Sequence, residues 1–435
     1  MTDPVPIRTR DREAILRSLR AGVVPSRGLQ HVQVGRADEI NALISDLDAI
    51  ERGSSTIRFV IGEYGSGKTF FLHLVRSIAL EKGLVTAHGD LTPDRRLHST
   101  GGQARSLYAE LMRNLATRTK PDGGALSSIV ERFITGALKD AKEQDRPVEQ
   151  AIGDKLEALS ELVGGYDFAQ VIAAYWRGHD TGNETLKSDA VRWLRAEFST
   201  KTDAKNALGV RSIIDDANVY DHFKLMALFV RLAGYEGLML CFDEMVNLYK
   251  LANTRARNTN YEQILRILND TLQGSAVGLG FIMCGTPEFL SDPRRGLYSY
   301  QALETRLQEN RFAGEGRIDL SGPVIRLASL TPEDLYVLLD KLRNVFASGD
   351  PEQHLVSDGA LKAFMEHCST RIGEAYFRTP RSTIREFVNL LSVIEQNSDT
   401  DWRELLGRVE LKEDVDPSSG LPLDEDDDEL ASFQL

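Results

Sequence analysis

Apolar positions along this chain change rhythm several times. In DREAILRSLRA, residues 11–21, they recur at helical spacing, and the connector VVPSRGLQHVQVGR that follows carries the proline and glycines that interrupt it. A second helical pattern runs from Ala37 to Arg52. RFVIG, Arg58 to Gly62, differs: it is a short unbroken apolar run stopped by a glycine-rich loop, the signature of a strand buried in a parallel sheet. FFLHLVRSIALEKG returns to an amphipathic helix, and GLVTAHGDLT, Gly83 to Thr92, predicts the next strand. GLMLCFDE (Gly237 to Glu244), GLGFIMCGTPEF and GPVIRLASL predict three more, with the helix YEQILRILNDTLQG between the first two.

Five short apolar strands alternating with helices predict an α/β fold, a parallel five-stranded sheet covered on both faces. Residues 91–236 interrupt the alternation. From about Gln103 to Tyr235 helical periodicity dominates, broken at KPDGG and GHDTGNE, so a long helical insertion is expected. LTPEDLYVLLDKLRNVFASG opens a helical C-terminal unit, with Thr331 ahead of Pro332 and Glu333 as its start signal. The expected organisation is therefore an N-terminal helical segment (1–31), an α/β core (32–328) holding the insertion, a C-terminal helical lid (329–408) and an acidic tail (409–435). The tail contains a run of six acids and little to bury, which predicts disorder.

Composition narrows the class. Among 435 residues, 42% are hydrophobic and 27% charged, ordinary values for a soluble globular protein. No apolar run approaches the roughly 20 residues of a membrane helix, and the start MTDPVPIRTRDREAI lacks the apolar middle of a signal peptide, so a cytoplasmic protein without membrane association is expected. Three cysteines, Cys241, Cys284 and Cys368, show no metal or disulfide spacing and read as core thiols. The net charge of −13 is concentrated: Glu410 to Leu435 carries ten acids and one lysine, which leaves about −4 on the body. Overall charge thus does not exclude a local basic groove.

The stretch IGEYGSGKTFFL, between a predicted strand and a predicted helix, fits the spacing G-x-x-x-x-G-K-[ST] with Gly62, Gly67, Lys68 and Thr69. Glycines allow successive backbone N–H groups to face phosphate oxygens, and the helix start adds its positive dipole end. Gly62, Gly65, Ser66, Gly67, Lys68, Thr69 and Phe70 are the candidates to hold ATP, with Lys68 bridging the β and γ phosphates and Thr69 a ligand of Mg2+. The strand LMLCFDE delivers Asp243 and Glu244 at its tip, suited to holding the Mg2+ water shell and to polarising an attacking water. Together these predict a hydrolytic ATPase. ALETRLQENRF supplies Arg306 and Arg311, either of which could serve a neighbouring subunit's nucleotide as a finger in a homo-oligomer, or simply be solvated.

With these residues in view, the chain resembles AAA+ ATPases of the origin-recognition branch. More specifically, it is similar to the BREX phage-defence ATP-binding family (BrxD-like), through VGR, GEYGSGKTFFL, LCFDEMVNLYK, NYEQILRILND, CGTPEF and TPRSTIREFV, over about residues 10–400. The resemblance implies a P-loop AAA+ core, a nucleotide-sensing Thr286 and a second-sensor arginine at Arg381, with Arg378 and Arg385 as competitors. It also implies Gly35 and Arg36 against the adenine, companion defence-system proteins, and DNA as target. Direct signs of DNA are the basic residues of Lys187 to Arg211 and of NTRARNTN, which equally fit a solvated helical face. A nucleotide-state switch gating a partner protein without DNA is the alternative.

Overall fold

The structure is a computed structural model, and it describes residues 6–313, 319–372, 380–397, 399–407 and 409. In chain order the first elements are α1 (Thr9–Arg20), α2 (Ala37–Glu51), β1 (Thr56–Ile61), α3 (Lys68–Glu81) and β2 (Val85–Asp90). Seven helices follow: α4 (Gln103–Arg113), α5 (Leu126–Glu143), α6 (Val148–Leu156), α7 (Gly165–Thr181), α8 (Glu184–Leu194), α9 (Lys201–Leu208) and α10 (Val219–Leu232). Then come β3 (Leu238–Asp243), α11 (Val246–Tyr249), α12 (Thr254–Leu272), β4 (Leu279–Gly285), α13 (Pro287–Ser291), α14 (Gln301–Leu307) and β5 (Val324–Arg326). The chain closes with α15 (Pro332–Phe346), α16 (Asp358–Ile372), α17 (Pro380–Gln396) and α18 (Trp402–Leu406).

The five strands form one parallel sheet in the order β2-β3-β4-β1-β5. Every residue of β3 and β4 is buried, as expected of central parallel strands that carry helices on both faces. The register sets Asp90 of β2 opposite Asp243 of β3. Gly280 in β4 is a packing requirement, because a Cβ there would lie 2.3 Å from Ile50 Cδ1 of α2.

The chain divides into two compact units. One contains residues 41–60 and 75–325, hence nearly all of the sheet and the whole insertion. The insertion has an aromatic core of Tyr108, Phe133, Phe168, Trp193 and Phe229, with ring centroids 5.1 Å apart for Phe133 and Phe229 and 5.4 Å for Phe168 and Phe229. It is tied to the sheet through its backbone: Thr86 of β2 and Ala116 exchange hydrogen bonds of 3.1 and 2.7 Å, which covers part of the exposed edge of β2.

The other unit contains residues 6–40, Ile61–Leu74 and 326–409. Its core joins Ile15 and Leu16 of α1 to Leu335, Leu339 and Leu342 of α15, Phe364 of α16 and Phe387, Val388 and Leu391 of α17. The N-terminal helix, expected as a segment of its own, shares a core with the C-terminal helices, because its apolar stripe needs partners and α15 and α17 supply them. Thr331 and Asp334 form a reciprocal capping box at the start of α15. All three cysteines are buried, as expected of core thiols. No described helix is long and apolar enough to cross a membrane.

Candidate functional site

The glycine loop lies in the unit that holds α1 and α15–α17. Gly65 and Gly67 have φ of 79° and 83°, left-handed values open to glycine without steric cost and of the kind an anion-binding nest uses. A Cβ at Gly62 would stand 2.4 Å from Ser66 Oγ and 3.0 Å from the Leu327 carbonyl oxygen, so the loop closes only around glycine. Ser66 Oγ is buried and lacks a hydrogen-bond partner among the described residues. Lys68 folds back over the loop, donating to the carbonyls of Gly62 (2.8 Å) and Glu63 (2.9 Å), and it starts α3 together with Thr69. A cradle of left-handed glycines, an orphaned hydroxyl and a lysine at a helix start fits a polyphosphate.

Two arginines distant in sequence reach this loop within the same unit. Arg36, itself left-handed at φ 62°, donates through Nη2 to the carbonyls of Ser66 and, at 3.2 Å, Ala328. Burial lowers its pKa against the opposing pull of Glu39 and Asp334. Gly35, also left-handed at φ 64°, faces Asp334. Arg381 lies over the Tyr64 ring at 5.7 Å and its Nη1 is 3.3 Å from the Tyr64 hydroxyl. Arg385 pairs instead with Glu386 at 3.5 Å, and Arg378 lies outside the described residues. Phe70 packs against the hydrophobic core of this unit, so its ring is taken up by the fold.

The acidic strand end lies in the unit that holds the sheet. Asp243 is 7% exposed, and its Oδ1 accepts from the Glu244 N–H at 2.9 Å. Glu244 is exposed and left-handed at φ 56°, an uncommon conformation for a residue with a side chain and one that the bonds around it must impose. The next residue, Met245, supplies such a bond by donating to the Cys284 carbonyl at 3.0 Å. Asp90, across the register from Asp243, was not among the sequence candidates. Partial desolvation, reinforced by the Asp243 charge, raises its pKa above the usual carboxylate value. The signal was available, since Asp90 closes a predicted strand, but without pairing order it could not be assigned a neighbour.

Thr286 follows β4 directly and caps α13, accepting from the Phe289 N–H at 3.4 Å. Arg306 is exposed on α14, where it donates to Asn269 Oδ1 (2.7 Å) and the Ala302 carbonyl (2.8 Å); Arg311 is exposed beyond the helix. NTRARNTN was expected as a loop able to touch phosphates, and it is instead the first turns of α12. Arg257 there is 5% exposed and donates to the Leu251 carbonyl at 2.8 Å, because its position on α12 faces inward, so it is not a surface contact. The aromatic of Lys187–Arg211 is likewise core: Trp193 is buried, with its Nε1 donating to the Ser212 carbonyl, while Lys187 and Arg192 pair with Glu184 and Asp189. Among the described residues no three His, Cys, Asp or Glu side chains gather as a metal cage.

A parallel sheet whose strand β1 runs straight into a glycine cradle and a lysine-led helix defines a P-loop α/β protein. The family described as BREX system ATP-binding protein BrxC/D matches residues 7–410, and the chain belongs to it. It is thus an ATP-binding protein of a family named for the BREX phage-defence system. No curated protein matches the chain.

Proposed function

We propose that this chain is an AAA+ ATPase of the origin-recognition type, working in the cytoplasm as a homo-oligomer with companion defence proteins, and that it hydrolyses ATP and acts on DNA. The observation that carries the catalytic part is the end of β3: a buried Asp243 that fixes the following N–H, and an exposed Glu244 held in a left-handed turn. Lys68, Ser66 and the N–H groups of the glycine loop would bind the polyphosphate, and Thr69 with Asp243 would hold Mg2+, which neutralises phosphate charge when bound. Glu244 would accept a proton from the attacking water. Arg306 completing a neighbour's site, Thr286 sensing the nucleotide and Arg381 acting from the C-terminal helices belong to the same proposal.

The DNA reading is supported by part of the surface read in the sequence, Arg255 of NTRARNTN, now joined by Arg294. Arg257 and Arg295 both donate to the Leu251 carbonyl, at 2.8 and 3.1 Å, and so bind the start of α12 to the turn after α13. Arg255 and Arg294, beside them in sequence, are exposed and available to phosphates. ATP turnover measured with and without duplex DNA tests the proposal, with Glu244→Gln as the inactive reference. Stimulation by DNA that Arg255→Ala/Arg294→Ala reduces is the expected result. Turnover indifferent to DNA would favour the nucleotide-state switch, a reading consistent with the internal pairing of Arg257, Lys187 and Arg192.

A further inference from the structure

We propose that Arg36 is a positioning residue of the phosphate loop rather than a contact to the adenine; the proposal rests on the reading of that loop as an ATP site. In a trans peptide the carbonyl and the following N–H point in opposite directions. Arg36 holds the carbonyl of Ser66, so the N–H of Gly67, in the same peptide unit, is turned away from the guanidinium. That N–H is one of the donors a phosphate nest requires, and Gly67 at φ 83° is the residue at which this peptide could otherwise rotate most freely. A cation on the outer side of the loop removes that freedom. The same nitrogen also holds the Ala328 carbonyl at 3.2 Å, which anchors the arginine on the segment leading to α15.

Three further features agree with this role. The guanidinium is close to the loop backbone itself, since a Cβ on Gly67 would lie 3.8 Å from Arg36 Nη2 and 3.9 Å from Nη1. Arg36 adopts φ 62° to reach this place, behind a Gly35 that takes φ 64° freely, so the backbone strain at Arg36 serves to deliver one side chain. Burial opposes its charge, and the nearby Glu39 and Asp334 carboxylates hold that charge in place. With both carbonyls held by Nη2, the guanidinium is pinned against the loop backbone, where it bears directly on every phosphate the loop binds.

The test separates the base from the phosphates. Arg36→Gly removes the guanidinium without adding backbone strain, because glycine accepts φ 62°. Arg36→Lys keeps the charge at a shorter reach. Displacement of a fluorescent ATP analogue by ATP and by inorganic tripolyphosphate, each with Mg2+, is measured for the wild type and both variants, with melting temperature as a check on folding. The glycine variant should weaken both ligands by the same factor, about ten- to a hundredfold for one charged hydrogen bond, and lysine should recover part of both. Loss of ATP affinity with tripolyphosphate affinity unchanged would identify a base contact and overturn the proposal, as would unchanged affinity for both. Were the glycine variant unfolded, the lysine variant would decide by the same ratio. A wild type that binds neither ligand would refute the ATP site itself, an outcome distinct from either of these.

Discussion

Glu244 offers a test in which stability and activity are read from the same pair of variants. Its φ of 56° lies in the left-handed region, where a Cβ crowds the following carbonyl at a cost of roughly 1–2 kcal/mol. Glycine does not bear this cost, but its freer unfolded chain costs about 0.5–1 kcal/mol relative to alanine. At an ordinary position Glu→Ala would therefore be the more stable variant. At position 244 the order reverses, and Glu244→Gly should exceed Glu244→Ala by up to about 1 kcal/mol, a shift of about 1–3 °C in melting temperature for units of this size. Both substitutions remove the same carboxylate from an exposed site, so lost side-chain contacts largely cancel in the comparison. Thermal melting at matched protein concentration measures the order, and a steady-state phosphate-release assay measures turnover. Both variants should bind ATP and fail to hydrolyse it. An alanine variant as stable as the glycine one would refute the strained conformation, and wild-type turnover in either would remove Glu244 from the chemistry.

Other outcomes follow from the same geometry. Lys68→Ala should abolish ATP binding while Glu244→Gln retains it, measured by equilibrium titration, because one residue contacts the ground state and the other acts on water. Mixing Arg306→Ala with Lys68→Ala protein should partly restore turnover, and an inactive mixture would show that each site is complete within one subunit. Asn260 is fully buried and bonds both the N–H and the carbonyl of His98, at 2.9 and 3.1 Å, so Asn260→Ala should destabilise by about 2–4 kcal/mol in urea unfolding through two stranded backbone groups. Burial and then the Arg76 charge hold His88 neutral down to about 4, against an ordinary 6.5. The unfolded chain therefore binds the extra proton first, so stability should fall as pH drops through that window, and His88→Gln should flatten the slope of urea midpoint against pH.

Most of the sheet could be read directly, because short apolar runs such as RFVIG and LMLCFDE, stopped by glycine or acid, fit a strand buried on both faces, and the glycines at 62, 65 and 67 mark a backbone that other residues follow only with strain. What could not be read shares one property: it depends on which segment lies next to which. Arg36 meets Ser66 from 30 residues away, and Asp90 meets Asp243 only through strand order. Arg257 looked like surface charge because local spacing does not reveal that α12 turns it toward the Leu251 carbonyl. Phe70 follows Thr69 in the sequence, but that its half-buried ring also packs against the core of α1 and α15–α17 depends on segments distant from it.

The packing of α1 on α17 also has a meaning for synthesis. Arg12 pairs with Glu395, 383 residues later, and Ile15 and Leu16 share a core with Val388 and Leu391. As the chain leaves the ribosome, residues 41–60 and 75–325 can gather their own core well before the last helices exist. The opening helix has no such option. Its apolar stripe must wait, exposed, until α15 to α17 have been made, together with the glycine loop that belongs to the same unit. Such distant pairing folds slowly and invites capture by chaperones, and it means that a prematurely terminated chain keeps an unpartnered first helix. Only a chain that includes α15 to α17 can assemble the unit in which the phosphate loop is held, so products truncated before them should not compete for nucleotide.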